Sequence, residues 1–248
     1  MRTLVASLLL PIFAACITYT ENVRFSPDGS GTVSARLVVL HEALARSPEA
    51  PLFRRDVLLS ELTPEKLREK LNIDGITVDR LAIEETDTAR VWDVQYHFAD
   101  LESFRRARNE GRDVALRLYD SGTYELSLAF SGPERERKEG AVEVPAPAEG
   151  EDEPVAQITA SDSVLLTQLL GGFSATFVFE MPTPVISAPR GRVSGTTATF
   201  VWSYEREGIR VLEPKTMRVI FRKNALDWPT FEAFPREEPE PQAQEPSY

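Results

Sequence analysis

The chain has 248 residues, a net charge of −11 from 28 basic and 39 acidic side chains, and one cysteine. Binding to a phosphate backbone needs a basic face, so this balance argues against nucleic acid as a partner. A lone cysteine leaves no disulfide within the chain, and the length suffices for one large or two small domains with a substantial core.

The first 16 residues read MRTLVASLLLPIFAAC. Arg2 supplies a positive charge, residues 4–13 form an apolar run, and Ala14-Ala15 lead into Cys16, the order of a secretory signal peptide. The run falls short of the roughly 20 apolar residues a permanent transmembrane helix needs. Phe13-Ala14-Ala15-Cys16 resembles the lipobox of bacterial lipoproteins, with Phe13 where that pattern prefers Leu, Val or Ile. The resemblance implies cleavage between Ala15 and Cys16, residues 1–15 as the signal peptide, and a diacylglyceryl thioether with N-acylation on Cys16. Two alternatives stay open: ordinary secretory cleavage after Ala15 or Cys16, and an uncleaved cytosolic start. Ordinary cleavage after Ala15 would put bulky Phe13 where such sites want a small residue.

Residues 18–25 and 32–39 alternate in polarity on either side of a Pro-Asp-Gly-Ser-Gly turn and predict a β-hairpin. In its first strand Tyr19, Glu21, Val23 and Phe25 share one side. The turn lacks the spaced carboxylates and distal Glu of a calcium loop. A short helix is expected around residues 53–59. Thr63-Pro64-Glu65 then starts another, with a capping hydroxyl, a proline at the first helical position and an acid in the first turn. Residues 76–84 and 90–98 predict a second hairpin, with Trp92, Val94, Tyr96 and Phe98 on one face. Asp100 caps a short helix over residues 101–108, expected to turn Leu101 and Phe104 inward and Arg105, Arg106 and Arg108 outward. Residues 114–119 and 123–130 form a third hairpin about Asp120-Ser121-Gly122.

Hairpins alternating with short helices predict an α+β fold, an antiparallel sheet with a few helices packed on one face. The segment of about 132–154 is charged and proline-rich and is expected to be a disordered insertion. A leucine-rich helix is predicted over residues 161–170, and Phe173, Ala175, Phe177, Phe179 and Met181 mark the cleanest strand. Short strands at 185–187 and 192–194 flank Pro189-Arg190-Gly191. Longer ones follow at 196–204, carrying Phe200, Trp202 and Tyr204, and around Met217, Val219 and Phe221. The folded domain is thus expected to span residues 16–222, and residues 223–248 to be a disordered Pro/Glu-rich tail.

Two motifs carry a wider resemblance. Residues 25–33, FSPDGSGTV, and residues 181–187 and 191–202, MPTPVIS and GRVSGTTATFVW, are similar to the first hairpin and the ending of LppM-like bacterial lipoproteins. Together they span about residues 17–222. The resemblance implies an extracytoplasmic α+β lipoprotein domain with no assigned catalytic residues, located in the cell envelope. Many members carry a C-terminal transmembrane helix, and this sequence ends instead in an acidic stretch.

Chemistry-bearing residues are sparse. His41 and His97 are the only histidines, and no Cys-x-x-Cys, His-Glu-x-x-His, Gly-x-Ser-x-Gly or phosphate-loop motif occurs. The carboxylate pairs Glu84-Glu85 and Glu237-Glu238 fall in turn-like or proline-rich sequence, which cannot hold an acid and a base at fixed separation. No catalytic set, metal site or cofactor is therefore expected, and the protein is read as a non-enzyme. The aromatic residues fill a core on the plainer reading. On the sharper one they leave an apolar cleft for a lipid or other amphipathic ligand. The expected partners are the membrane, through the anchor, and a lipid or envelope protein.

Overall fold

The computed structural model describes residues 17–42, 62–108, 113–130, 171–212 and 215–231. Strand β1 (Ile17–Phe25) returns through a Pro27-Asp28 turn into β2 (Gly31–Leu40) in full antiparallel register, Ile17 opposite Val39 and Phe25 opposite Gly31. At the turn Gly29 takes φ +87, and the Asp28 carboxylate accepts from both the backbone N–H and the hydroxyl of Ser30. Helix α1 (Pro64–Lys70) starts on Thr63, whose hydroxyl accepts the Lys66 N–H at 3.4 Å. The second hairpin pairs β3 (Ile76–Glu85) with β4 (Ala89–Phe98), and the register shifts between Val78 and Arg80.

Helix α2 (Leu101–Arg106) follows, and then the third hairpin, β5 (Val114–Tyr119) and β6 (Thr123–Phe130). The C-terminal half supplies β7 (Ser174–Glu180), β8 (Val185–Ser187), β9 (Arg192–Ser194) and β10 (Thr197–Ser203). A single-turn helix, α3 (Tyr204–Glu207), runs into a 3₁₀ segment, Gly208–Leu212, and β11 (Lys215–Arg222) follows.

The α+β class expected from the alternation is what the chain forms, in two sheets. Seven strands pair in the order β3-β4-β2-β1-β7-β10-β9, and four in the order β5-β6-β11-β8. All the paired strands run antiparallel except β1 and β7, which are parallel and bring Val23 beside Phe179. β1 is therefore central, hydrogen-bonded to β2 on one side and β7 on the other. The third hairpin leaves the first two and joins the smaller sheet. Alternation with period two assigns a side chain to a face and says nothing about the neighbouring strand. The two short strands flanking Pro189-Arg190-Gly191 also part company, β8 pairing with β11 and β9 with β10.

One core joins both sheets. Val23, Phe25, Tyr96, Phe98, Phe177, Phe179, Phe200 and Trp202 of the large sheet meet Leu116, Tyr124, Leu126, Met217, Val219 and Phe221 of the small one. Leu101 and Phe104 enter this core from α2, as their spacing predicts. A second, smaller cluster of Ile17, Val39 and Trp92 lies at the other end of β1, with Leu62 and Leu67 of the α1 region against it. There the Trp92 indole N–H donates to the Leu62 carbonyl at 2.8 Å.

Two expectations need correction. Of the three arginines expected to point outward from α2, only Arg106 is exposed; Arg105 is 8% exposed and Arg108 turns inward. Arg105 forks onto Glu102 at 2.7 and 2.8 Å and lies 5.3 Å from the Phe231 ring centroid. A six-residue helix at the seam between two layers has little outer face, and arginine stems readily cover apolar surface. The folded chain also continues beyond residue 222: Leu226 and Trp228 are buried, and Phe231 exchanges both backbone hydrogen bonds with Leu116. The leader, the insertion, the helices expected at 53–59 and 161–170, and residues 232–248 of the expected tail lie outside the described residues.

Asp100 caps α2 by accepting the Ser103 N–H and the Ser103 hydroxyl, each at 2.7 Å. These bonds, the backbone one first, hold its carboxyl below the usual Asp range. A depressed folded pKa means that the stability it contributes is present above the unfolded value of about 3.9 and is lost as pH falls through the folded value. Asp100→Ala is accordingly expected to cost about 1 kcal/mol near neutral pH. Urea titrations of the two proteins should converge below about pH 4; a gap that persists in acid would contradict the carboxylate's role.

Candidate functional site

Cys16 lies outside the described residues, but its chain neighbour begins β1. Ile17 is 9% exposed and sits opposite Val39 with its side chain in the cluster around Trp92. The described fold thus begins at the residue that follows Cys16 in the chain.

Farther along β1, Glu21 shares the inward face with Val23 and Phe25 and is 2% exposed. A carboxylate at that depth requires a partner. Arg108 supplies it, with both terminal guanidinium nitrogens on the two carboxylate oxygens, one at 3.0 Å. The Tyr19 hydroxyl donates to Glu21 Oε2 at 2.5 Å. Burial, and next the Glu21 charge, push the Tyr19 phenol well above its usual range. Burial likewise raises Tyr96. Burial opposes the charge on Arg108, but Glu21 and the two tyrosines outweigh it and keep the guanidinium more firmly protonated than free arginine. Both Glu21 oxygens are engaged and both phenols stay protonated, so the group works as a clamp from the end of α2 to β1. Sequence reading put Glu21 on this face without drawing the inference; a charged residue among Tyr19, Val23 and Phe25 was the available signal.

The two histidines singled out in the sequence lie in separate places, and of the carboxylates singled out with them Glu85 comes within 3.6 Å of His41 Nε2. His97 Nδ1 meets Asp79 at 2.5 Å on the exposed side of β4, whereas His41 Nε2 bonds the Thr86 carbonyl at 2.8 Å beside Glu85. Glu84 pairs with Arg80, and Glu85 with Arg90. Among the described residues no three His, Cys, Asp or Glu side chains converge as metal ligands. Glu237 and Glu238 lie outside the described residues.

The aromatic residues are mostly core. Trp92, Tyr96, Phe98, Phe177, Phe179, Phe200 and Trp202 are buried, and Phe173 and Tyr204 are half-buried against them. Phe177 contacts Trp202 at 4.8 Å between ring centroids, and Phe179 meets Phe200 edge-on at 6.0 Å.

No family model and no curated protein matches the sequence. Solved structures do. Among them is the NMR structure of the folded domain of the Mycobacterium tuberculosis LppM protein. It aligns at a TM-score of 0.40 and 10% identity, over 84% of this chain and 91% of that one.

Two clefts open between the described elements, both bordered by charged side chains. One runs between α1 and β3, past Arg68, Glu69, Asn72 and Asp79. The other lies where β10, α3 and the start of β11 meet, and it gathers arginines that sequence reading did not single out. No helix among the described residues is long and apolar enough to cross a membrane.

Proposed function

We propose that this chain is a bacterial envelope lipoprotein, held at the extracytoplasmic surface of a membrane through acylated Cys16, whose folded domain binds partners and is not an enzyme. The observation that carries this reading is the position of β1. The lipobox-like segment ends at Cys16, and the central strand of the large sheet starts at Ile17. A leader that is cleaved before Cys16 leaves the fold whole, because every described element lies beyond the cut. Two or more acyl chains hold a protein stably where one chain holds it marginally. With no linker after Cys16, the Ile17–Val39–Trp92 end of the domain rests against the headgroups.

The non-enzymatic half of the reading draws its support from the ionisable groups of the described residues. Among the described residues the most deeply buried carboxylate, Glu21, is consumed by its clamp, and the histidines sit in separate surface pairs. A soluble partner or ligand would meet the domain on the faces away from the anchor.

Intact mass of the membrane-extracted protein, wild type against Cys16→Ser, tests the anchor. The wild type should carry a diacylglyceryl group, with or without a further acyl chain, on a polypeptide beginning at residue 16. The variant should lack both the added mass and that cleavage. Identical masses and identical membrane partition for the two proteins would defeat the proposal.

A further inference from the structure

In a chain of net charge −11, the cleft between β10, α3 and β11 concentrates positive charge. Arg190, Arg206, Arg210 and Lys215 line a volume of about 470 Å³ against the Phe200–Trp202 edge of the large sheet. Among the described residues that line it, Glu207 is the one carboxylate, and Lys215 engages it. Lys215 Nζ donates to Glu207 at 2.6 Å and to the Arg210 carbonyl at 2.9 Å, and lies 5.8 Å from the Trp202 ring centroid. Arg190 and Arg206 are exposed and form no ion pair among the described residues. Arg190 and Arg206 therefore bring to the cleft positive charge that its described carboxylate does not engage.

The backbone at residue 190 gives a second, independent observation. Arg190 takes φ +67, in the left-handed region that glycine enters freely and a residue with a Cβ does not. The turn is closed by the Gly191 N–H on the Ala188 carbonyl at 2.8 Å. It is pressed against the cleft wall, since a Cβ on Gly191 would stand 2.9 Å from the Phe200 ring. A glycine at 190 would satisfy this backbone at lower conformational cost. What arginine adds there is its guanidinium at the rim of the cleft.

We propose that this cleft binds a phosphate-bearing ligand. Arg190 and Arg206 supply charge-assisted hydrogen bonds to the oxyanion, and Arg210 and Lys215 add to the field that draws it in. A carboxylate is satisfied by a single guanidinium fork. Cations arriving from a turn, a helix, a 3₁₀ segment and a strand instead match a tetrahedral oxyanion, whose oxygens point in several directions at once, as those of a phosphate do. Val201, 39% exposed beside them, offers apolar contact to whatever carries the phosphate. The same chemistry serves a soluble phosphate ester or a phospholipid headgroup, and it does not depend on acylation of Cys16.

The test uses the full chain in nonionic detergent, with tryptophan emission as the readout because Trp202 lines the cleft. Inorganic phosphate and glycerol 3-phosphate are titrated alone, and phosphatidylglycerol is compared with phosphatidylcholine in mixed micelles. A saturable response to the soluble phosphates supports the proposal and identifies a free ester; a response confined to phosphatidylglycerol supports it and identifies a headgroup. With whichever probe binds, Arg206→Gln and Arg190→Gly should each weaken affinity about tenfold. Added salt should weaken it further. Arg190→Gly should leave the thermal midpoint about where it was, because glycine suits the left-handed turn, which separates lost binding from lost folding. No response to any probe, an equal response to phosphatidylcholine, or affinity unchanged in both variants overturns the proposal.

Discussion

Replacing Glu21 by alanine is expected to lower the free energy of unfolding by about 3 kcal/mol, as is usual when one partner of a buried ion pair is removed. Glu21 is 2% exposed, and its side chain accepts from both Arg108 and Tyr19. Without it, Arg108 stays largely enclosed with no countercharge, against the Phe104 ring 5.3 Å away, and its Nε is already buried without a hydrogen-bond partner. The Tyr19 hydroxyl would lose its acceptor as well. Most of the cost is therefore the penalty of a stranded charge, and a double variant separates that penalty from the worth of the pair. Glu21→Leu with Arg108→Leu should lose much less than either alanine substitution alone, because a buried pair exchanged for apolar side chains is often near neutral. Arg24–Glu180 serves as the control, an exposed pair at 2.8 Å between β1 and β7 whose removal should cost at most about 1 kcal/mol. Urea denaturation followed by tryptophan emission measures all of these. If Glu21→Ala costs no more than the exposed control, or the double variant loses the sum of the singles, the clamp is not what fixes α2 to β1.

The hairpins were legible because polarity alternates cleanly along them. β4, with Trp92, Tyr96 and Phe98 facing one way, and β7, with Ala175, Phe177 and Phe179, lie where the period places them. Their partners were not legible. The parallel union of β1 with β7 joins residues about 150 positions apart, and nothing local in either strand encodes it. Helix α2 shows a different failure. Arginine is normally a surface residue, yet Arg105 and Arg108 are covered by groups distant in sequence, Phe231 and Glu21. The cleft was not legible for the same reason: Arg190, Arg206 and Lys215 come from a turn, a helix and a strand that only the tertiary fold assembles. The proposed anchor runs the other way. Its evidence is the leader sequence through Cys16, and the fold contributes only the start of β1 at the next residue.

The C-terminal stretch holds the second large effect. Residues 223–248 are rich in proline and glutamate, and their mean composition is that of a disordered tail, but the mean conceals Leu226 and Trp228. The Trp228 ring lies 5.7 Å from Phe25 of the large sheet and 6.1 and 5.5 Å from Tyr124 and Phe221 of the small one. Its indole N–H donates to the Pro27 carbonyl at 2.9 Å, in the turn of the first hairpin. Its backbone N–H and carbonyl both engage the Tyr124 hydroxyl, at 3.1 and 3.0 Å. One side chain thus ties the two sheets together next to the β1–β2 turn. Trp228→Ala should cost about 3–5 kcal/mol, through lost burial and the cavity left behind. Tyr124→Phe should cost about 1 kcal/mol, since it leaves the ring in place and removes the paired hydrogen bonds. Asp227→Ala, at the exposed neighbour, should stay within about 0.5 kcal/mol. The same urea titration ranks the three. A tail that merely followed the domain would give Trp228→Ala the small effect of Asp227→Ala, whereas a strap that closes the core gives the order Trp228, Tyr124, Asp227.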